Sequence, residues 1–332
     1  MTPILGFILE CAAIAALTGT ATSVLALGTV ALQRSFGRRV SAGTRADLVF
    51  IAGVLPALVA VAATASAAMP SVMAALGLLA DHCHGHAHHL HVCFVHGGDV
   101  QPGVALLGAL ALAMGSVRAC SLVRHGLVFA RDVRALERLG VAGGDAFPIV
   151  EIPGDALLCH AVGARRPRIL LGTSFAARLA PIDLRCAIAH ERAHLRRRDP
   201  LASVILSAAG LFVPPPMSQL LQRAYRDAAE EACDDEAARD VGDGTLVARA
   251  LVAVARLQHQ PAWPPASAQV FGFGQHRLEV RVHRLLRETA FCVRRAFALP
   301  VAAGAALAIF AAAAGYAALI HHAVETALHR PF

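Results

Sequence analysis

Long stretches without charge limit what this chain can fold into. The first runs from Pro3 to Leu32 and carries one acidic residue, Glu10, and no basic residue. Further apolar stretches extend from Leu48 to about Ala80, from Val104 to Val117 or slightly beyond, and from Phe297 to Ile320. A helix that crosses a membrane needs about 20 mostly apolar residues. The pattern therefore predicts an α-helical membrane protein with four transmembrane helices.

Charged residues are few and unevenly placed along the chain. Only 16% of the residues are Asp, Glu, Lys or Arg, whereas ordinary globular domains have about 25%. They concentrate in the middle, which is typical of membrane spans around one soluble domain. We expect Pro56 and Pro70 to interrupt the second stretch, so that its span ends near Met69 and a short interfacial helix follows. Leu201–Val213 is too short to cross and predicts a buried or membrane-dipping helix.

The placement of the arginines orients these spans. Segment 34–47 carries four arginines and segment 118–296 holds most of the others, whereas segment 81–101 has no Lys or Arg. Because basic residues accumulate on the cytoplasmic side of spans, the first two segments should be cytoplasmic, and 81–101 and both termini external. The same arginines explain the net charge of +7. Since no motif that reads nucleic acid is recognisable, no direct nucleic-acid binding is expected.

The predicted organisation has three parts. Residues 1–123 form three N-terminal transmembrane helices, with an external loop at 81–101. Residues 124–296 form a cytoplasmic domain. Residues 297–332 form the last transmembrane helix and a short external tail. The eight cysteines include no CxxC pair, so no disulfide framework is predicted for the chain as a whole.

The segment Pro181–Asp199 predicts a helix that carries a metal-binding pattern. Its sequence HERAH at 190–194 places His190 and His194 four residues apart on one face, where both imidazoles can bind one metal ion. Glu191 lies beside the first ligand, where its carboxylate can accept a proton from activated water. The alternative is a chance match, with His194 as an ordinary polar residue on an arginine-rich face.

A second segment, Tyr225–Ala237, offers the third ligand. It is rich in alanine and lacks Gly and Pro, which predicts another helix. Asp227, Glu230 or Glu231, and Asp234 share one face at spacings of three and four residues. Any of these carboxylates can complete a site of two histidines and one carboxylate with water in the fourth position. Spacing alone does not choose between Glu230 and Glu231, and a solvated acidic face is the alternative.

The order of the motifs carries a family resemblance. GARRPRILL at 163–171 is followed by HExxHxxxxDP at 190–200, by an apolar segment with prolines, and by ExxCD at 230–234. This order resembles the BlaR/MecR-type antirepressor membrane metalloproteases, which are gluzincins related to the HtpX-like proteases. The resemblance covers about residues 145–240 in motif detail, and the four-span layout extends it to most of the chain.

The resemblance implies a role for each polar residue of the two helices. His190, His194 and Glu230 would bind one catalytic Zn²⁺, and Glu191 would be the catalytic base. Asp234 would orient a ligand imidazole, and Asp199 would have a structural or similar orienting role.

The resemblance also implies the fold of the soluble part. It would be an α+β zincin-like metalloprotease domain with a small sheet beside the active helix, and an edge strand of that sheet could hold an extended substrate. The strand candidates are Phe147–Ile152, Ala156–Val162 and Arg168–Gly172. The residue that stabilises the oxyanion is left open among His160, Tyr225 and Arg226.

The predicted external loop has an unusual composition. Seven histidines and two cysteines lie within 81–96, which suits a second transition-metal site for Zn, Cu or Ni. The alternative is a solvated loop, with or without a Cys83–Cys93 disulfide. The residues concerned are His82, Cys83, His84, His86, His88, His89, His91, Cys93 and His96. Only 321–332 follow the last predicted span, so the large C-terminal sensor domain of drug-sensing relatives is not expected.

Three functions follow as hypotheses. The first is a regulatory zinc endopeptidase of the bacterial cytoplasmic (inner) membrane that cleaves a cytoplasmic protein in signal transduction, by analogy a winged-helix repressor. The second is a membrane quality-control protease with broad specificity. The third is a non-catalytic metal sensor or transporter that uses the histidine-rich loop. The expected partners are the substrate protein and the lipid bilayer, and the oligomeric state is left open, with a homodimer among the alternatives.

Overall fold

Three long helices open the chain. In the computed structural model, these are α1 (Pro3–Phe36), α2 (Ala42–Ala75) and α3 (Pro102–Leu139). All three are long and apolar enough to cross a membrane, so the first three predicted spans fall on real helices. The structure describes residues 2–36, 40–79, 100–139, 141–142, 147–155, 157–258, 278–287, 298–315 and 319–320. The histidine-rich run at 82–96 lies outside these described residues.

The bounds of α2 and α3 differ from the prediction. Pro56 and Pro70 both lie inside α2, so the predicted break near Met69 and the separate interfacial helix are wrong. Proline removes one helix hydrogen bond, but helices packed against their neighbours in a membrane tolerate this loss. Half of the most apolar part of α2 is buried inside the protein, which provides that packing. The third helix continues to Leu139, well past the predicted end near Val117.

A small mixed sheet follows α3. Its strands are β1 (Val141–Ala142), β2 (Ile149–Ile152), β3 (Cys159–Val162) and β4 (Arg168–Gly172), in the spatial order β1-β2-β4-β3. The central pair β2 and β4 is parallel, and the outer strands pair antiparallel with it. Each of the three predicted strands contains an observed one, whereas β1 was not predicted. Among the described residues, β3 is an edge strand of this sheet.

Six helices form the rest of the described part of the domain, and one of them is central. They are α4 (Thr173–Arg178), α5 (Pro181–Arg197), α6 (Asp199–Ala209), α7 (Pro215–Val241), α8 (Gly244–Gln258) and α9 (Leu278–Leu286), with a 3-10 turn at Gly210–Phe212 between α6 and α7. The central helix α5 lies between the sheet on one side and α7 and α8 on the other. Apolar residues of β3, β4, α5 and α8 form the main core.

The predicted helix at 181–199 ends earlier than expected. Arg198 takes the left-handed backbone conformation, with φ of 60°, and its N–H bonds back to the carbonyls of the last turn of α5. The chain therefore turns at Arg198, and Asp199 begins α6 instead of closing α5. The apolar segment 201–213 forms most of α6 and the 3-10 turn. It packs against α2, in agreement with a buried helix too short to cross.

The long helices and the domain pack directly against each other. A Cβ atom added at Gly19 of α1 would lie 2.2 Å from the Phe212 carbonyl oxygen, so only glycine allows the 3-10 turn to lie this close. Helix α10 (Ala298–Gly315) lies in the fourth apolar stretch and packs against α2. There the Ser66 hydroxyl donates to the Ala313 carbonyl at 3.1 Å. The apolar part of α10, 303–313, is shorter than the other three.

Candidate metal centre

The first half of the site lies on α5. Pro181 occupies its first turn, and Asp183 places a negative charge at the positive end of the helix. The side chains of His190, Glu191 and His194 are completely buried. Two imidazoles and a carboxylate without solvent contact are costly to bury unless they are paired or bind an ion. This burial sets them apart from an ordinary polar face.

Helix α7 brings the carboxylate of Glu230 to the two histidines. His190 Nε2 lies 3.5 Å from Glu230 Oε2, and His194 Nε2 lies 3.6 Å from Glu230 Oε1. The three ligand atoms fall within 4.8 Å of one another, as required of atoms that hold one metal ion. The small residues Ala229, directly before Glu230, and Ala232, two residues after it, are buried, which lets α7 approach α5 closely.

Two aspartates fix the orientation of the imidazoles. Asp234 Oδ1 lies 3.0 Å from His190 Nδ1, and Asp199 Oδ2 lies 2.8 Å from His194 Nδ1. With Nδ1 held by a carboxylate, each ring directs Nε2 toward Glu230. In metal sites, a ligand histidine usually donates its other ring N–H to a carboxylate, which fixes the orientation of the ring. The structure thus places Asp234 and Asp199 where the family resemblance implies an orienting role.

The choice between the two adjacent glutamates is decided by position. Glu231 points away from the histidines and forms ion pairs with Arg45 of α2 and Arg284 of α9. Glu230 is the one grouped with the histidines.

The second group that could hold a metal, namely His194, Asp199 and Cys233, uses the Nδ1 side of His194. Because Asp199 already binds that nitrogen, this group belongs to the surroundings of the same site.

Arg281 of α9 is a site residue that sequence analysis missed. Its guanidinium donates to both oxygens of Asp234 at 2.7 Å and lies 2.8 Å from Glu230 Oε2. Burial alone would raise the pKa of these carboxyls, but Arg281 lowers the pKa of both below the ordinary value. It therefore keeps Glu230 ionised, which a ligand carboxylate must be. Nothing in the local sequence marks this arginine among the many of the chain.

Tyr225 also acts through an aspartate. Its hydroxyl donates to Asp199 Oδ1 at 2.7 Å, and burial raises its pKa well above the ordinary value. Sequence analysis considered Tyr225 as one of three candidates to stabilise an oxyanion. In the structure its hydroxyl is instead engaged with the aspartate that holds His194. Of the other two, His160 lies on β3 and Arg226 on α7, both half-buried.

Glu191 lies between α5 and the edge of the sheet. Its Oε2 accepts a hydrogen bond from the Ala161 N–H of β3 at 2.7 Å, and its buried Oε1 has no hydrogen-bond partner among the described residues. Burial raises the pKa of Glu191 to about 7, against the opposing effect of the two histidines. For His190, burial lowers the pKa, but hydrogen bonds to Asp234 and Glu230 raise it to about 9 overall. A carboxyl with a pKa near neutrality suits proton transfer.

The profile of the BlaR1 peptidase M56 family matches residues 21–285. This range includes α2, α3, the sheet and every residue of the site. The chain belongs to the BlaR1 peptidase M56 family. The predicted family is therefore confirmed, and with its long apolar helices the protein is a membrane metallopeptidase. No curated protein and no solved structure matches the chain.

In this M56 peptidase, the site is also connected to α2, one of the long apolar helices. Asp47 of α2 lies 3.5 Å from a nitrogen of Arg197, and another nitrogen of Arg197 lies 3.5 Å from Asp199. All three side chains are buried. One turn further along α2, the ring of Phe50 packs against the ring of Tyr225 at a centroid distance of 5.9 Å. Two separate contacts of α2 thus converge on the aspartate that holds His194.

Proposed function

We propose that the protein is a zinc endopeptidase. The observation that carries the proposal is the convergence of His190 Nε2, His194 Nε2 and the Glu230 carboxylate within 4.8 Å, with Glu191 beside them. Two imidazoles and one carboxylate are a donor set that zinc binds in peptidases, with a further position left for water. The fixed Nδ1 atoms support the same fit, since they leave each Nε2 available to the ion.

The residues of the chain divide the catalytic work. A bound zinc ion would supply Lewis acidity that activates water and polarises a peptide carbonyl. Glu191 would accept the proton of the attacking water on its carboxylate and later deliver it to the amine of the leaving fragment. Burial raises the pKa of this carboxyl, which favours the protonated form that delivers the proton to the amine. Asp234, Asp199 and Arg281 would keep the ligands in place.

The edge of β3 is the proposed binding site for the substrate backbone. Its strand has a neighbour on one side only among the described residues, and Ala161 lies against Glu191. An extended peptide that pairs with such an edge gains backbone hydrogen bonds that do not depend on its sequence. A peptide paired with β3 would run past the catalytic carboxylate, as hydrolysis requires.

We further propose four membrane spans, with α10 as the fourth and the zincin-like domain in the cytoplasm. The contact between Ser66 and Ala313 supports membership of α10 in the helix bundle. The four arginines of segment 34–47 and the absence of Lys and Arg from 81–101 support the orientation. In a bacterium this layout would place the protein in the cytoplasmic membrane.

The proposed substrate is a cytoplasmic protein, by family analogy a winged-helix transcriptional repressor. The test compares the cytoplasmic proteomes of cells with wild-type protein and with Glu191→Gln, a change that keeps the size of the side chain. We expect one protein, or very few, to be cut only by the wild type, while both proteins contain equal zinc. Cutting by both proteins would refute the role of Glu191, and many unrelated fragments would favour quality control over signalling.

The orientation can be tested with fusions to alkaline phosphatase, which is active only where disulfides form. A fusion after residue 100 should be active, and a fusion after residue 258 should be inactive. The reverse result would place the domain outside the cell and exclude a cytoplasmic substrate.

A further inference from the structure

A groove of about 510 Å³ lies beyond the ends of strand β3 and helix α5. Its walls come from the turn between β3 and β4 and from the junction of α5 and α6. We call it the arginine groove, after three of its lining residues. The residues that matter for its chemistry are Phe147, Arg165, Pro167, Leu195, Arg196 and Arg198.

The arginine groove lies at the ends of β3 and α5, two of the elements that form the proposed active site. Leu195 lies one helical turn after Glu191 and therefore on the same face of α5, the face that contacts β3 through Ala161. Gly163, which also lines the groove, follows Ala161 by two residues. At about 3.3 Å per residue, a peptide paired with β3 would reach the groove about two residues away from Glu191.

The charge of the groove is positive. Arg165 and Arg198 are both exposed, and neither forms an ion pair with another described residue. Arg196 also lines the groove, but Glu236 and Asp240 neutralise it at 2.9 and 2.7 Å. No carboxylate lies among the described lining residues. Two uncompensated guanidinium groups beside Phe147 and Leu195 therefore favour a ligand with both carboxylate and apolar side chains.

The backbone at Arg198 adds a second observation. Helices commonly end on a left-handed residue, and glycine usually takes that position because it has no Cβ atom. Arg198 is the only non-glycine residue with positive φ among those described. A glycine would relieve the strain but would remove a guanidinium from the groove. Arginine at this position therefore keeps a guanidinium group at the junction of α5 and α6, which lines the groove.

We propose that the arginine groove binds acidic side chains of the protein substrate a few residues from the cleaved bond. This inference rests on the proposed peptidase function, and it names the class of substrate segment that the site prefers. An extended peptide that alternates acidic and apolar residues fits the groove better than an anionic lipid headgroup. The reason is that the cavity is lined by Gly163, which directly follows β3, and by Leu195, which lies one helical turn after Glu191.

The test measures peptide binding to the full-length protein, so it does not depend on cleavage. Glu191→Gln protein in lipid nanodiscs of phosphatidylcholine is titrated into a fluorescein-labelled octapeptide of alternating Glu and Val. Fluorescence anisotropy gives the affinity. The Arg165→Ser/Arg198→Ser variant should bind about tenfold more weakly. The matched Arg185→Ser/Arg239→Ser variant, which loses the same charge from exposed sites elsewhere, should change the affinity less than twofold.

Three outcomes would overturn the proposal. The first is equal weakening by both double variants, which would mean attraction by net charge alone. The second is equal binding of an octapeptide of alternating Gln and Val. The third is a loss of peptide binding, when phosphatidylglycerol replaces phosphatidylcholine, that is much larger for the Glu191→Gln protein than for its Arg165→Ser/Arg198→Ser variant, which would assign the groove to lipid headgroups. Repulsion of the acidic peptide by the anionic bilayer alone would weaken both alike. If the proposed peptidase function itself were wrong, a different experiment would show it: the cytoplasmic proteomes of cells with wild-type protein and with Glu191→Gln would be the same.

Discussion

The helices α2 and α3 are both long, apolar and neighbours in sequence, yet they are embedded differently. Half of the most apolar part of α2 is buried inside the protein, against 6% of the corresponding part of α3. Helix α2 packs against α1, α6, α7 and α10, whereas α3 packs mainly against α1. If both cross the membrane, α2 lies inside the bundle and α3 faces lipid along most of its length.

Charged residues on these two helices sharpen the difference. Asp47 of α2 contacts Arg197, which contacts the aspartate that holds His194. Arg118 of α3 instead donates to the Val213 carbonyl at 2.5 Å and to the Ser218 hydroxyl at 2.8 Å, where α6 turns into α7. Charged residues within membrane helices are costly and are usually kept for a function. Among the described residues, α2 therefore contacts groups that orient the candidate ligands, whereas Arg118 of α3 contacts the connection between α6 and α7.

The largest loss of zinc affinity is expected from a change at Asp199, where the contacts of α2 converge. Asp199→Asn removes the charge that orients His194 and leaves Arg197 with one carboxylate fewer. We expect the zinc affinity to fall about 10–100-fold, as for other residues that support metal ligands. Competition with a chromophoric chelator in detergent measures it. Asp155→Asn, an exposed change away from the site, is the control, and equal affinities of the two variants would contradict the role of Asp199.

A smaller effect is expected at Asp47 on α2 itself. Asp47→Asn leaves the ligands and Asp199 in place but weakens the hold on Arg197, so we expect a loss of zinc affinity of up to about tenfold. The absorption spectrum of the cobalt-substituted protein should change as well, because the position of His194 changes. Combination with Asp199→Asn should add little further loss, since both changes act along one set of contacts. Full additivity would show that Asp47 acts independently of Asp199.

The difference between α2 and α3 also shows how far sequence reasoning reaches. The histidines of α5 and the carboxylates of α7 could be predicted because helical spacing places residues three or four apart on one face. Glu230 could be preferred over Glu231 only through the family resemblance. In the structure, the reason is that α2 and α9 supply Arg45 and Arg284 to Glu231. Such pairing between distant helices leaves no local pattern.

The residues that support the ligands from afar could not be predicted for the same reason. Arg281 and Asp47 are far in sequence from the histidines that they serve. A weak signal existed for Asp47, because an acid directly before the apolar stretch at Leu48 would be expensive in a span unless it had a partner. The helix break expected at Pro70 failed because packing around α2 outweighed the local effect of proline.

Arg45 gives a finer test of α2. It pairs with Glu231, next to the ligand Glu230, but Arg284 also contacts Glu231. Since both arginines are partly exposed, each pair contributes little. We expect Arg45→Gln to lower the zinc affinity less than about threefold, measured by the same competition. A loss larger than that of Asp47→Asn would move the main connection between α2 and the site from Asp199 to Glu231.

The smallest loss of zinc affinity is expected from a substitution on α3. Arg118→Gln removes charged hydrogen bonds to the α6–α7 connection, on the order of 1 kcal/mol, which corresponds to a fall in Tm of about 1–2 °C for a chain of this size. The zinc affinity should stay within twofold of the wild type, because the hydrogen bonds of Arg118 to described residues go to Val213 and Ser218, neither of which orients a candidate ligand. Thermal unfolding in detergent and chelator competition on the same samples separate the two quantities. If Arg118→Gln lowered the zinc affinity as much as Asp47→Asn, then α3 would be connected to the metal centre as closely as α2. The burial of a span would then say nothing about which span positions the ligands.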